Sequence, residues 1–131
     1  MKQITVLMVD DEIDFITPLS KRLGKRGFNI LLAENGQAGL DLLENVAVDV
    51  VLLDITMPGM DGIKTLREIR RCHPVVEVII LTARNETDLV ISGLGMGAYD
   101  YLVKPVELKE LARKIEDAAQ RRKKPMSAPR P

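Results

Sequence analysis

Short apolar runs alternate along the chain with segments in which apolar residues recur at helical spacing. The runs cover residues 4–9, 28–33, 48–55, 75–82 and 99–103. They are rich in Val, Ile and Leu, and most lack a polar–apolar alternation, which is typical of strands buried on both faces of a parallel sheet. Helical spacing is clearest in two sets: Ile16, Leu19 and Leu23, and Leu108, Leu111, Ile115 and Ala118. The pattern therefore predicts five strands, each followed by a helix.

This alternation of strands and helices indicates the fold class. Strand–helix–strand units with right-handed crossovers place helices on both faces of a parallel sheet. We therefore expect an α/β fold, a doubly wound five-stranded parallel sheet with the strand order 2-1-3-4-5. In such a sheet ligands bind at the carboxyl ends of the strands, beside the point between strands 1 and 3 where the order reverses.

Composition and charge restrict the class of protein. The chain has 131 residues, of which 46% are hydrophobic and 29% are charged, as in an ordinary globular domain. Residues 121–131 carry five basic residues and no acid, which leaves 14 basic residues against 19 acidic ones in residues 1–120. An acidic body argues against a nucleic-acid-binding surface on the domain itself. We expect a domain over residues 1–122, followed by a basic, Pro-rich tail or linker over residues 123–131.

Cysteine content and the length of the apolar runs bear on the location of the protein. Cys72 is the only cysteine, so the chain cannot form an internal disulfide, which fits a reducing compartment. No apolar run approaches the roughly 18 residues of a membrane span, and the first residues lack the pattern of a signal peptide. We therefore expect a cytoplasmic protein without a membrane partner.

Three carboxylates fall at the ends of neighbouring strands. Asp10 and Asp11 follow strand 1, and Asp54 comes at the end of strand 3. At a separation of about 4 Å and an effective dielectric constant of about 20, each like-charged pair would repel by roughly 4 kcal/mol. A bound cation removes this repulsion, and oxygen ligands suit Mg²⁺ or Mn²⁺. The alternative is that Asp10 and Asp11 only cap the first helix.

A hydroxyl and an ammonium group are expected at the same corner of the sheet. Thr82 ends strand 4, and Lys104 follows strand 5. Taken singly, Thr82 is a helix cap and Lys104 a surface lysine. Together with a metal ion they form a phosphoryl site, in which Lys104 supplies positive charge and Thr82 a hydrogen bond. Asp54, at the end of the central strand, is the best-placed nucleophile for an aspartyl phosphate.

The motifs at these strand ends resemble a known family. They are Asp10-Asp11, Asp54 in LLDITMPGMDG, Thr82-Ala83, and Tyr101 with Lys104-Pro105 in YDYLVKP. Across residues 4–122 the chain is similar to the receiver domain of two-component response regulators. The resemblance implies a flavodoxin-like (βα)5 sandwich and a role in phosphorelay signalling. It also implies that the domain catalyses only its own phosphorylation and dephosphorylation.

The resemblance assigns a role to each matching residue. Asp54 accepts the phosphoryl group from a phosphohistidine on a sensor histidine kinase or a phosphotransfer protein. Asp11, Asp54 and the backbone carbonyl of Thr56 ligate Mg²⁺ directly, with Mn²⁺ as an alternative, and Asp10 acts largely through water. Thr56 and Arg84 occupy places that tune how fast the phosphoryl group is hydrolysed.

The resemblance also assigns residues that contact the bound phosphoryl group and residues that move when it is bound. Thr82 and Lys104 hold the phosphoryl oxygens, Ala83 and Pro105 line the phosphate, and the Lys104–Pro105 peptide bond is cis. On phosphorylation Thr82 moves toward the phosphoryl group and Tyr101 swings inward into the space that it leaves. The alternative for Tyr101 is an ordinary half-buried tyrosine on a strand.

Two other classes of protein, and an inactive receiver, are alternatives. A Mg²⁺-dependent phosphohydrolase of the haloacid dehalogenase type needs a second aspartate two residues after its nucleophile, where this chain has Thr56. A flavin carrier on the same fold needs a hydroxyl- and Gly-rich loop after strand 1, where this chain has DDEID. A receiver that only docks, without phosphorylation, is expected to lack one of the acids or the lysine, and none is missing.

Several positions that we expect at the surface indicate how the domain could bind a partner. Winged-helix regulators of this superfamily usually dimerise through Arg on the fourth helix and Asp on the fifth strand, whereas this chain has Val90, Ser92 and Tyr99 at those places. The surface is therefore more apolar, and we hypothesise docking of an effector or a homodimer through the fourth helix, fifth strand and fifth helix. His73 is expected to be exposed and without a ligand-forming neighbour. The sequence predicts neither the cognate kinase nor the effector.

Overall fold

The computed structural model describes residues 3–57, 61–83 and 86–123 of the chain. Within these ranges five strands alternate with five helices. The strands are β1 (Thr5–Val9), β2 (Asn29–Ala33), β3 (Val50–Asp54), β4 (Glu77–Thr82) and β5 (Asp100–Val103). The helices are α1 (Ile13–Lys25), α2 (Gly36–Asn45), α3 (Asp61–Cys72), α4 (Thr87–Gly95) and α5 (Leu108–Lys123). Each strand lies within one of the apolar runs, which confirms the predicted elements.

The strands form one parallel sheet in the order β2-β1-β3-β4-β5, which confirms the predicted doubly wound fold. The central strand β3 is buried along its whole length, since helices cover both of its faces. The register places Val9 beside Leu53 and Thr82 beside Val103. The residues at the carboxyl ends of β1, β3, β4 and β5 therefore meet at one edge of the sheet.

Alternate side chains of the strands enter two separate hydrophobic layers. From β3, Leu52 packs in the layer covered by α1 and α5, whereas Leu53 packs in the layer under α2 and α3. This follows from the two-residue period of a strand. The apolar stripes predicted for the first and last helices are buried: Ile16, Leu19, Leu23, Leu111, Ile115 and Ala118. None of the helices in the described ranges is long and apolar enough to cross a membrane.

Candidate functional site

The carboxyl edge of the sheet carries four polar side chains that the fold removes from solvent. Asp10 follows β1 and is 1% exposed, Asp54 ends β3 and is 2% exposed, and Thr82 ends β4 and is 1% exposed. The Lys104 side chain, just after β5, is 13% exposed. Burial of such groups costs free energy unless they are paired, so their collection at one edge needs a chemical reason.

Asp10 is incompletely satisfied in its buried position. Its Oδ1 accepts a hydrogen bond from the Glu12 N–H at 2.8 Å. Its Oδ2 is buried and receives no well-aligned hydrogen bond, although the Lys104 ammonium lies 2.9 Å away. Burial raises the pKa of the Asp10 carboxyl from 3.8 to about 6, with a smaller contribution from the charge of Asp54 and against the opposing effect of Lys104. The Oδ2 atom is therefore an acceptor suited to a further positive charge.

Lys104 lies among three carboxylates. Its ammonium is 2.9 Å from Asp10, 2.5 Å from Glu12 and 3.5 Å from Asp54. It also lies over the Phe15 ring, 4.5 Å from the ring centroid. Burial acts to lower the pKa of Lys104, but the neighbouring carboxylates of Glu12 and Asp10 outweigh it, and the pKa is raised. Lys104 is therefore held as a cation beside Asp54, as predicted from its place after β5.

The two carboxylate oxygens of Asp54 have different surroundings. Oδ1 accepts hydrogen bonds from the Thr56 N–H at 2.9 Å and the Thr56 hydroxyl at 2.7 Å. Oδ2 faces Lys104 at 3.5 Å. Thr56 thereby fixes the orientation of the carboxylate, and Oδ2 is the oxygen directed toward the cation. This arrangement suits a nucleophile that must attack from one defined direction.

The acids at this edge have the composition of a site for a hard divalent cation. Asp10, Glu12 and Asp54 each present an oxygen within 4.8 Å of the others, and we name these three residues the acid cluster. An all-oxygen donor set suits Mg²⁺ or Mn²⁺, and Oδ2 of Asp10, which is buried without a well-aligned hydrogen bond, offers a ligand atom. The residues present therefore fit the predicted ion.

The membership of the acid cluster differs from the predicted ligand set. Asp11 is exposed and lies outside the cluster, so its role as a direct ligand stays a prediction. Glu12, which sequence reasoning missed, is in the cluster instead. The signal for Glu12 was present as the third acid of the run DDE after β1. Thr56 lies beside Asp54, and the role of its carbonyl also stays a prediction.

A cavity of about 570 Å³ adjoins the acid cluster between β4, α4 and β5. Its lining includes Thr82, Ala83, Tyr101, Lys104 and Pro105, so the predicted switch and phosphate-lining residues share one space. The Thr82 hydroxyl donates a hydrogen bond to the Ala83 carbonyl at 3.1 Å, and Tyr101 is 40% exposed. The Lys104–Pro105 peptide bond is cis, as the resemblance implied.

Comparison with known proteins identifies the family. Residues 6–116 match the response regulator receiver domain. The chain belongs to this family. The curated relatives of this receiver domain include the regulatory protein AtoC of Escherichia coli (strain K12), 41% identical over 115 residues, which are 88% of this chain and 25% of AtoC. The transcriptional regulatory protein ZraR of Klebsiella oxytoca is 38% identical over 117 residues, which are 89% of this chain and 26% of ZraR.

Solved structures agree with this assignment. A response regulator receiver domain protein from Clostridium thermocellum is 35% identical with a TM-score of 0.86, over 92% of this receiver domain and 97% of that chain. The receiver domain of the Francisella response regulator 1452 is 31% identical with a TM-score of 0.83, over 92% of this chain and all of that one. The present chain spans about a quarter of the length of the curated relatives that it matches.

Two predictions about exposure are wrong for this receiver domain. Val90 is 8% exposed and faces the cavity rather than a docking surface, because the phase of α4 directs its neighbour Ile91 outward at 62% exposure. The His73 side chain is 18% exposed, and its Nε2 lies 3.2 Å from a Glu44 carboxylate oxygen. Arg84 lies outside the described residues.

Proposed function

We propose that this receiver domain accepts a phosphoryl group on Asp54 and thereby changes the surface formed by α4, β5 and α5. The observation that carries the proposal is the geometry of Asp54, whose Oδ1 is held by Thr56 while Oδ2 faces Lys104. Membership of the receiver family supports a phosphohistidine donor on a sensor histidine kinase or a phosphotransfer protein. The domain then acts as a signalling switch that catalyses only its own phosphorylation and dephosphorylation.

The transfer exchanges a phosphorus–nitrogen bond for a phosphorus–oxygen bond. Oδ2 of Asp54 attacks phosphorus, the bond to the donor histidine breaks, and its electron pair returns to the imidazole nitrogen. The product is an acyl phosphate on Asp54, which water later hydrolyses. Lys104, beside Oδ2, neutralises charge on the phosphoryl oxygens, and Thr82 donates a hydrogen bond to one of them after leaving the Ala83 carbonyl.

The acid cluster supports Mg²⁺ as the cofactor, with Mn²⁺ as an alternative. Asp10 and Asp54 would hold the ion, with Asp11 and the Thr56 carbonyl as further ligands inferred from the sequence. When bound, the ion supplies positive charge to the phosphoryl oxygens. The all-oxygen donor set and the buried Asp10 Oδ2, which lacks a well-aligned hydrogen bond, support this assignment.

The cavity beside Thr82 supports a conformational switch. When Thr82 turns toward the phosphoryl group, the half-exposed Tyr101 has a cavity of about 570 Å³ next to it into which its ring can move. The phosphoryl group adds a charge of about −1.5 to −2, and the contacts that it makes in one packing of α4 and β5 favour that packing. Ala83 and Pro105 line the same space.

The output is proposed from the relatives and from the exposed apolar residues. The matched relatives AtoC, a regulatory protein, and ZraR, a transcriptional regulatory protein, are about four times as long as this chain. We therefore propose that the domain controls an effector domain or protein, with the residues after α5 as a tail or linker. Ile91, Tyr101 and Val103 are exposed at 62%, 40% and 41% on α4 and β5, which supports an effector or a second copy as the occupant of this surface. In this proposal the domain itself binds no nucleic acid. The location that we propose is the cytoplasm, where the domain would meet its kinase partner.

Intact-mass measurement after incubation with Mg²⁺ and acetyl phosphate tests the proposed function. We expect a single phosphoryl adduct that requires Mg²⁺ and is absent from Asp54→Asn, which removes the nucleophile with little change of shape. The matched control is Asp41→Asn, the same substitution on the exposed side of α2, which should leave the adduct intact. An adduct that persists in Asp54→Asn contradicts the assignment of the acceptor.

The rival phosphohydrolase gains no support. A phosphohydrolase of the haloacid dehalogenase type needs an acid where Thr56 stands, and Thr56 instead donates two hydrogen bonds to Asp54. The absence of any adduct from the parent, with Mg²⁺ binding intact and with a partner kinase supplied, would favour a receiver that only docks.

A further inference from the structure

We infer that Glu12 is a positioning residue that holds the Lys104 ammonium in the unphosphorylated domain and is displaced from it by the phosphoryl group. The inference rests on the proposed phosphorylation of Asp54. It concerns a residue that lies outside the predicted set of site residues and that the structure brings into the acid cluster.

The contacts of Lys104 show which carboxylate holds it. Its Nζ lies 2.5 Å from Glu12 Oε1 and 2.9 Å from Asp10 Oδ2, but 3.5 Å from Asp54 Oδ2, the oxygen that would carry the phosphoryl group. The hydrogen bond to Glu12 has good geometry, whereas Asp10 Oδ2 receives none that is well aligned. The shortest contact of the ammonium is therefore with a residue that takes no part in the transfer.

The position of Glu12 explains how it reaches the lysine. Its backbone N–H donates to Asp10 Oδ1 at 2.8 Å, so the start of α1 is fixed to the end of β1. From this anchor the side chain extends over the outside of the site, where it is 60% exposed, while the Asp10 side chain below it is 1% exposed. Glu12 therefore lies on the solvent side of Lys104, where its carboxylate can leave the ammonium without being buried.

Differences in exposure decide which contact is released on phosphorylation. A phosphoryl group on Asp54 brings three acceptor oxygens to the ammonium, and Lys104 has only three protons to donate. Asp10 is buried and cannot lose a cation without cost, whereas the Glu12 carboxylate can turn into water. The new contact between Lys104 and the phosphoryl group therefore replaces the contact with Glu12. In the resting state the Glu12 carboxylate is the anion that pairs with the ammonium.

Binding of beryllium fluoride, an inert analogue of the phosphoryl group, tests the inference at equilibrium in the presence of Mg²⁺. Glu12→Gln removes the charge at constant length, and Glu12→Asp keeps the charge but shortens the side chain, so that it no longer reaches Nζ. We expect each variant to bind the analogue about two- to fivefold more tightly than the parent, the upper part of the range for one exposed ion pair. The matched control is Asp14→Asn, an exposed acid in the first turn of α1, which should bind like the parent.

The NMR signals of the Lys104 side chain give a readout that a general loss of stability would not change. In both Glu12 variants they should shift from the parent positions in the same direction as on addition of beryllium fluoride to the parent, and they should not shift in Asp14→Asn. Weaker binding in Glu12→Gln would overturn the inference, because Glu12 would then act as a ligand of the metal. Parent-like binding in Glu12→Asp would also overturn it, because charge alone would then be responsible.

The two proposals fail in different ways. If the parent neither binds beryllium fluoride nor gives an adduct that depends on Asp54, the proposed function is wrong and the role of Glu12 is wrong with it. If the parent does both and the Glu12 variants behave like Asp14→Asn, only the role of Glu12 is wrong.

Discussion

The helices α5 and α4 pack on opposite faces of the sheet, both against β4, and are held in very different ways. Among the described side chains of α5, the buried ones are Leu111, Ala112, Ile115, Ala118 and Ala119. In the 9-residue helix α4 the buried residues are Val90 and Gly93, its first turn has no side-chain cap, and Ile91 and Leu94 are exposed. Since helix stability in proteins comes mostly from packing, α5 is a fixed part of the core and α4 is the weakly held element.

The difference shows where a local charge can act. The cavity of about 570 Å³ lies on the α4 side of β5, next to Thr82 and Lys104. A phosphoryl group at Asp54 can therefore shift α4, which has few packing contacts to lose. Helix α5 is fixed by its buried stripe. The measured effects of the substitutions below should follow this division between the two helices.

The largest loss of stability is expected from a truncation on the buried side of α5. Leu111→Ala removes a side chain with 0% exposure, so it should lower the free energy of unfolding by about 2–5 kcal/mol, measured by urea denaturation. The same truncation in α4, Leu94→Ala, removes a side chain with 39% exposure and should cost less than about 1 kcal/mol. Equal losses at the two positions would contradict the comparison.

The acid cluster at the carboxyl edge of the sheet is expected to destabilise the resting domain at neutral pH. The raised pKa of Asp10, from 3.8 to about 6, means that the folded state holds its proton more tightly than the unfolded state. The stability from that proton is present below pH 3.8 and is lost as the pH rises through about 6. Without divalent cations, Asp10→Asn should therefore raise the free energy of unfolding at neutral pH by about 1–3 kcal/mol, a range that already includes the lost contact with Lys104, since Lys104 contributes to the shifted pKa.

The pH dependence of this variant provides its control. The gain should shrink toward zero in mild acid, below the unfolded-state pKa of the carboxyl, where the parent Asp10 is protonated in both states. Mg²⁺ should stabilise the parent more than the variant at neutral pH. A gain that is the same in acid and at neutral pH would show that the charge of Asp10 is not its cause.

A matched pair of glycines tests how closely α4 lies on the sheet. A Cβ at Gly93 would clash with Ile80 Cδ1 and lie 3.2 Å from Ile55 Cδ1, so Gly93→Ala should cost about 1–3 kcal/mol by overpacking. A Cβ at Gly95 would meet nothing within 4 Å, and Gly95→Ala should be neutral or stabilising by up to about 1 kcal/mol. Thermal unfolding of both variants measures the difference in stability. A larger loss in Gly95→Ala than in Gly93→Ala would mean that α4 does not contact the sheet at Gly93.

The smallest effect on stability is expected at the exposed face of α4. Ile91→Glu changes a side chain with 62% exposure and should alter the free energy of unfolding by less than about 0.5 kcal/mol. It should nevertheless abolish any association of the phosphorylated domain through α4 and β5, measured by sedimentation. Unchanged association would place the docking surface elsewhere.

The sequence predicted the sheet and most of the site because both depend on strands. Strand order follows from the alternation of elements, and the carboxyl ends of parallel strands must meet, so the pattern of the chain alone brings Asp54, Thr82 and Lys104 together. The predictions that failed or stayed open depend on the direction of side chains beside a strand end or on a helix. Glu12 rather than Asp11 joins the acid cluster, and Val90 faces inward, because the starting phase of α1 and α4 is set by packing.

Hydrogen exchange of the backbone amides, with and without phosphorylation by acetyl phosphate and Mg²⁺, tests the central claim most directly. We predict that phosphorylation changes exchange in α4, in β5 and around Thr82, while the buried turns of α5 keep their protection. The same treatment of Asp54→Asn should change none of these rates. Equal changes in α4 and α5, or changes that persist in Asp54→Asn, would contradict the account of a switch driven by a charge on Asp54.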